Sequence, residues 1–441
     1  MSRRSEVKAL STQTVVLQLA DAAAQALGLL DRPFSVPNLV ASARRRTGLA
    51  DFGEIDFAGP LQRLLESCAT ESELSLVGRM ATHWDVVRFL SNLLRLRAEE
   101  LRRPAILAEP IKRPIFITGL PRSGTTFLHR LMLTDPVSRA PLVWETIYPC
   151  SDRREAPDRR QARVAGQLRT FEKLAPEFRA LHPLEADSPQ ECSEITAHTF
   201  RSLRFDTNYH IPSYRAWLDA DVERHQPAYR FHKRFLQHLQ SQDRTRREPG
   251  RWVLKCPEHL FALRSIRAVY PDARLVFVHR DPVRVLLSQA RLTEVLRRPF
   301  TRRMDLRLIG RDESARWLDG TRRMMEVGDD AGLPEPVCHV HHMDLIADPV
   351  ATVDAVYRHF GETLPATAVT RIEAYVKAHP NGGYGRHDYH TTDHGLDPTV
   401  ERARFRPYML RFGITAEDGR PRRRDDASTP STLPAVEPLQ G

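Results

Sequence analysis

The stretch that most limits what this chain can become runs from Arg113 to Met132. Arg113-Pro-Ile-Phe-Ile-Thr118 is a short apolar run. Gly119-Leu-Pro-Arg-Ser-Gly-Thr-Thr126 is a turn bounded by glycines, and Phe127, Leu128, Leu131 and Met132 then recur at helical spacing. Strand, tight loop and helix is the reading. Such a loop turns backbone N–H groups toward an anion, and the helix start adds about half a positive charge. Gly119 and Gly124 match the G-x4-G of a phosphate loop, but Thr125 stands where that motif has lysine. Arg122, inside the loop, supplies the missing charge. A kinase or ATPase loop uses its lysine on the β- and γ-phosphates and its Ser/Thr on Mg²⁺. An arginine-bearing loop followed by two threonines suits a ligand with one phosphate and a leaving group. The competing reading is a glycine turn with no ligand.

Three further short runs resemble the first: Trp252-Val-Leu254, Leu275-Val-Phe-Val278 and Val337 to His341, each followed by a helical pattern. Strands alternating with helices predict a three-layer α/β fold with a parallel sheet. Residues 1–110 read as a helical N-terminal cover without chemistry. Ser35 caps one helix there, with Pro37 in its first turn and Gly48 at its stop. Residues 111–415 read as the main domain, with a helical insertion at about 150–250. Residues 416–441, rich in Pro, Arg and Asp, read as a disordered tail.

The net charge is +10, yet only six of the 66 basic residues are lysines. Arginine is therefore a weak clue and a lysine inside a motif a sharp one; Lys255, at the end of Trp252-Val-Leu-Lys-Cys-Pro-Glu-His259, is such a lysine. The five scattered cysteines fit neither a disulfide scaffold nor a zinc ribbon. No stretch has the roughly 18 apolar residues of a membrane span. With no export signal at the start, a cytoplasmic enzyme is expected.

The loop Pro-Arg-Ser-Gly-Thr-Thr resembles the 5′-phosphosulfate loop of sulfotransferases that use 3′-phosphoadenosine 5′-phosphosulfate. The arginine variant is similar to bacterial sulfotransferases and to the tyrosylprotein sulfotransferases. The resemblance implies a sheet of the P-loop nucleoside triphosphate hydrolase type. It also implies that Arg122, Ser123, Gly124, Thr125 and Thr126 hold the 5′-phosphosulfate. The family places an arginine after a later strand and a serine eight residues on, for the 3′-phosphate. In Leu275-Val-Phe-Val-His-Arg-Asp-Pro-Val-Arg-Val-Leu-Leu-Ser288 these are Arg280 and Ser288. An alternative is a local ion pair of Arg280 with Asp281.

The same resemblance gives catalytic roles. Lys255 belongs to a Lys-x-Pro element that contacts the transferred group, and Arg122 joins it. Glu145, in Val143-Trp-Glu-Thr146, stands where tyrosylprotein sulfotransferases carry a catalytic glutamate, with Trp144 as an apolar wall. His129 is a rival base. Asp187-Ser-Pro-Gln-Glu-Cys-Ser-Glu194 resembles a segment lining the acceptor pocket, with Glu191 and Glu194 three apart; a capped, solvated helix is the plain alternative. Arg386, in a glycine-rich basic stretch, is expected to reach a phosphate from a closing loop. His339 and His341 share a strand face without making a metal site. Residues 404–413 read as one last helix.

The expected reaction moves a sulfuryl group from 3′-phosphoadenosine 5′-phosphosulfate to a hydroxyl or amine, releases adenosine 3′,5′-bisphosphate and needs no metal. The acceptor is a small molecule, carbohydrate or lipid. The rivals are a P-loop kinase using ATP and Mg²⁺, and a basic nucleic-acid-binding protein. The missing loop lysine argues against the first. The dispersed arginines and the absence of a recognised nucleic-acid module argue against the second.

Overall fold

The computed structural model describes residues 12–150, 158–174, 184–243, 250–327, 335–379 and 393–417. Five parallel strands form one sheet: β1 (Ile115–Gly119), β2 (Ser138–Arg139), β3 (Arg251–Lys255), β4 (Arg274–His279) and β5 (Cys338–His341). Their order is β2-β3-β1-β4-β5, with Ile117 level with Lys255 and Gly119 level with Val278. β2, of two residues, carries no period for sequence reading to detect.

The strands alternate between two cores. Phe116, Leu254, Leu275 and Phe277 face one, which continues into the N-terminal helices. Ile115, Ile117, Val253, Val276 and Val278 face the other, with Phe127, Leu131, Val353 and Val356. Helices on both faces explain why the strands read as unbroken apolar runs. This is the three-layer sheet of the P-loop type. The chain passes from β3 on one side of β1 to β4 on the other, and the crevice beyond the strand ends at such a reversal is where open α/β sheets bind ligands.

Within 12–110, Ser35 caps Val36–Thr47 and Gly48 ends it at φ 68°. Leu76–Arg102 buries Phe89, Leu90, Leu93 and Leu94 against the first core. Among the described residues of 150–250 the elements before β3 are all helical. No described helix is long and apolar enough to cross a membrane. The expected last helix is two, Pro398–Arg404 and Arg406–Arg411. The break falls at Phe405, where Pro407 sits in the first turn of the second helix and cannot donate to a continuing one.

Gly119 ends β1 at φ 149°, and a Cβ there would lie 2.3 Å from the Val278 carbonyl oxygen. Backbone cannot yield as a side chain can. Gly119→Ala is expected to destabilise the fold by about 3 kcal/mol through strain and overpacking. A melting temperature equal to that of the parent chain would show that the close approach of β1 and β4 is not needed.

Candidate active site

The ends of β1, β3 and β4 deliver the loop, Lys255 and Arg280 to one crevice. After β1 the loop turns at Arg122, which adopts φ 61°, a left-handed conformation uncommon for a residue with a side chain. Gly124, at φ 99°, precedes the helix Thr125–Met132. The Ser123 hydroxyl donates to the Leu120 carbonyl at 2.6 Å, so it braces the turn. Thr125 and Ser123 are buried.

Arg122 and Arg280 meet. Arg280 Nη1 donates to the Arg122 carbonyl at 2.8 Å, and Arg122 Nε donates to Ser288 Oγ at 3.1 Å. Three residues expected to grip the nucleotide therefore form one chain of contacts. The reach to Ser288 is made by Arg122 rather than by Arg280. Asp281 does not pair with Arg280. It caps Pro282–Arg297 through Val283 N at 2.9 Å and accepts from Glu417 N at 2.8 Å. Arg280 instead forms a bidentate fork with Glu417, Nε to Oε1 and Nη2 to Oε2, both at 2.9 Å. That guanidinium holds the Glu417 carboxyl below its usual range against the opposing effect of burial. Ala416 and Glu417 are the described part of the expected tail, and residues 418–441 lie outside the described residues, as does Arg386.

His342, just after β5, also faces the loop. Its ring meets the Ser123 backbone, and its buried Nδ1 would stand 2.9 Å from a Cβ on Gly124. Burial, with Arg280 nearby, depresses its pKa to about 4. The ring and Leu345 pack so closely on Gly124 that glycine is needed there, which sets a polar ring beside the helix start. Arginine fork, serine hydroxyl, glycine turn and helix N-terminus fit a nucleotide carrying two separate anionic groups.

On the other side of the loop, Lys255 Nζ donates to Thr126 Oγ1 at 3.1 Å and is ion-paired with Glu191. The lysine side chain is almost fully buried and that of Glu191 is 28% exposed. Glu191 also accepts from Cys256 Sγ at 3.8 Å. Its place is set by backbone pairing of segment 186–190 with 141–144. Val143 N donates to Ser188 O at 3.0 Å, Trp144 N to Ala186 O at 2.9 Å and Gln190 N to Pro141 O at 2.8 Å.

The other expected bases have other partners. Glu145 Oε2 accepts from Leu142 N at 2.9 Å, closing the first turn of Val143–Ile147, and Oε1 lies 3.7 Å from Arg139 Nη2. Burial, the largest cause, raises its pKa. Arg139 stacks over Trp252 at 4.2 Å and is level with it in the sheet. None of the described contacts of Glu145 brings it to the Lys255 end. Trp144 lies under Arg160 at 4.6 Å rather than forming a wall for Glu145 alone. His129 is buried at the sheet, with Nε2 2.9 Å from the Val253 carbonyl, and burial depresses its pKa to about 3.

A buried ionic network lies behind Glu191. Arg88 pairs with Asp85 at 2.8 Å and Glu194 at 2.7 Å, and Arg204 with Asp85 at 3.1 Å and Glu194 at 3.0 Å. Asp85 and Arg88 come from the N-terminal cover, so that region is tied into the site wall. The signal for them was two opposite charges inside an otherwise apolar helical stripe. Glu194 turns into this network and Glu191 toward Lys255, so the two do not share a solvated face. His339 and His341 lie beside His279; His279 Nε2 is 2.8 Å from His339 Nδ1. Among the described residues no three His, Cys, Asp or Glu side chains are arranged to hold a metal ion.

Glu258, in the Lys-x-Pro-Glu turn, is 3.4 Å from Ser202 Oγ and 3.5 Å from Arg316 Nη2. Burial raises its pKa from 4.5 to about 7. Between those values the folded chain holds a proton the unfolded chain has released, so stability falls as pH rises through that window. Glu258→Gln is expected to lose less melting temperature than the parent chain between about pH 5 and about pH 8. Equal losses in both chains would remove Glu258 as the source.

The sulfotransferase family profile matches residues 114–366. The chain is 24% identical over 311 residues to omega-hydroxy-beta-dihydromenaquinone-9 sulfotransferase Stf3 of Mycobacterium tuberculosis, covering 67% of this chain and 72% of that one. It resembles the crystal structure of sulfotransferase STF1 from M. tuberculosis H37Rv at 30% identity and a TM-score of 0.72, over 85% of this chain and 98% of that one. It is also similar to STF9 from Mycobacterium avium, at 25% identity and a TM-score of 0.77, over 87% and 98% of the two chains. The matched span holds β1, the loop, Lys255, Arg280 and Ser288 together, and on that basis the chain belongs to the sulfotransferase family.

Proposed function

We propose that this sulfotransferase draws its sulfuryl group from 3′-phosphoadenosine 5′-phosphosulfate and passes it to a hydroxyl of an apolar acceptor. The contact chain Arg280–Arg122–Ser288 carries the donor assignment, because it joins two motifs 158 residues apart at one crevice. Arg122, Ser123, Gly124, Thr125 and Thr126 receive the 5′-phosphosulfate. Arg280 and Ser288 receive the 3′-phosphate, and Arg386 remains a further proposed phosphate ligand. Lys255, beside Thr126, neutralises charge on the transferred group and on the departing phosphate oxygen. The acceptor class is supported by the relative Stf3, whose name specifies a hydroxylated dihydromenaquinone. Amines, carbohydrates and phenols are the other acceptor classes to compare.

Adenosine 3′,5′-bisphosphate is expected to raise the melting temperature more than ATP with Mg²⁺ or AMP at equal concentration, since only it offers both anionic ends. Preference for ATP with Mg²⁺ would support a kinase and sink the donor assignment.

A further inference from the structure

The acceptor hydroxyl must lose a proton as its oxygen bonds to sulfur, and the sequence points to Glu145 as the base. In the structure the described partners of that carboxylate are Leu142 N and Arg139 rather than Lys255 or the loop. We propose that Glu191 is the catalytic proton acceptor. This rests on reading the Lys255–Thr126 corner as the transfer end of the donor site.

Three observations carry it. Glu191 is the carboxylate paired with Lys255, whose ammonium also donates to Thr126 of the loop. Its side chain is 28% exposed beside a lysine that is almost fully buried, so a solvent-borne acceptor reaches the glutamate before the lysine. Its backbone neighbours, Pro189 and Gln190, are pinned to 141–142 by a bridge between Leu142 and Pro189 and by the Gln190 N to Pro141 O bond, so the carboxylate is positioned before any ligand arrives.

The rival groups have other partners. His129 is sealed against the sheet with its Nε2 at Val253 O. Glu258 faces Ser202 and Arg316, and Glu145 faces Leu142 N and Arg139.

In the step, the acceptor oxygen bonds to sulfur while the bond from sulfur to the 5′-phosphate oxygen breaks. That electron pair stays on the phosphate oxygen, beside Lys255. The acceptor proton passes to a Glu191 carboxylate oxygen. The products are the sulfate ester and adenosine 3′,5′-bisphosphate. With water as acceptor the same step gives inorganic sulfate, so the test needs no knowledge of the natural acceptor.

The full chain and its Glu191→Gln, Glu191→Asp and Glu145→Gln variants are compared in two measurements. One is calorimetric binding of adenosine 3′,5′-bisphosphate. The other is single-turnover cleavage of 3′-phosphoadenosine 5′-phosphosulfate in water, followed by chromatography of the released nucleotide. Glu191→Gln is expected to slow cleavage by about 10²-fold or more while nucleotide affinity stays within about threefold. Glu191→Asp is expected to recover part of the rate, and Glu145→Gln to stay within about fivefold of the parent chain. Unchanged cleavage in Glu191→Gln overturns the proposal. So does a parallel loss of nucleotide binding, which would make Glu191 only an anchor for Lys255, and so does a larger rate loss in Glu145→Gln. Should Glu191→Gln fail to fold, Glu191→Asp decides: a rate and affinity both unchanged overturn the proposal, and a slowed rate at unchanged affinity supports it. A parent chain that neither binds the bisphosphate nor cleaves the donor refutes the donor reading itself, a result distinct from all of these.

Discussion

Arg280→Ala is expected to weaken binding of adenosine 3′,5′-bisphosphate by about 10²- to 10³-fold. Hydrogen bonds to charged groups contribute roughly 1.5–3 kcal/mol each, and about 1.4 kcal/mol is tenfold in affinity. The fork that now engages Glu417 offers two such bonds to a phosphate. The variant also loses the Nη1 donor that holds the Arg122 carbonyl, so the left-handed turn of the loop is released at the same time. Arg280→Lys is expected to recover little, because an ammonium is a point charge without a planar fork. Isothermal titration calorimetry reads both variants. Affinity within about fivefold of the parent chain would mean that the 3′-phosphate lies elsewhere.

Lys255→Gln is expected to cut the rate of sulfuryl transfer by about 10²- to 10³-fold and to leave bisphosphate affinity within a few-fold. The size follows from removing one preorganised charge at the reacting centre. The split between rate and affinity follows from geometry. Lys255 sits with Thr126 and Glu191 at the β3 end, whereas Arg280 and Ser288 belong to the β4 side. Glutamine is shorter and uncharged, so the corner keeps a polar side chain while it loses the charge. Single-turnover rates measured beside binding constants check this. Equal losses in both would place Lys255 in nucleotide binding alone.

The parts of the site that could be read from the chain were those written locally. Strand, glycine turn and helix occupy consecutive residues, and the Arg280-Asp-Pro turn does likewise, so each announced its own geometry. The parallel sheet followed from alternation of short apolar runs with helical ones. What could not be read were meetings between distant segments. Glu191 and Lys255 are 64 residues apart, and Arg280 and Glu417 are 137 apart. Nothing in local spacing distinguishes Glu191, which turns to the loop, from Glu194, which turns to Arg88 and Arg204. The distinction comes from backbone pairing of 186–190 with 141–144. His342 carries no local signal of its own: it follows the alternating His339 and His341, begins the next helix and turns to Gly124.

The fork between Arg280 and Glu417 gives donor loading the character of an exchange. In the proposed pose the 3′-phosphate and this carboxylate need the same two guanidinium nitrogens, so the chain's own C-terminal segment is an intramolecular competitor. The observed affinity is then the intrinsic one reduced by the fraction of molecules in which Glu417 has stepped aside. Whatever draws that segment away would sensitise the enzyme to scarce donor without altering a single group that touches it.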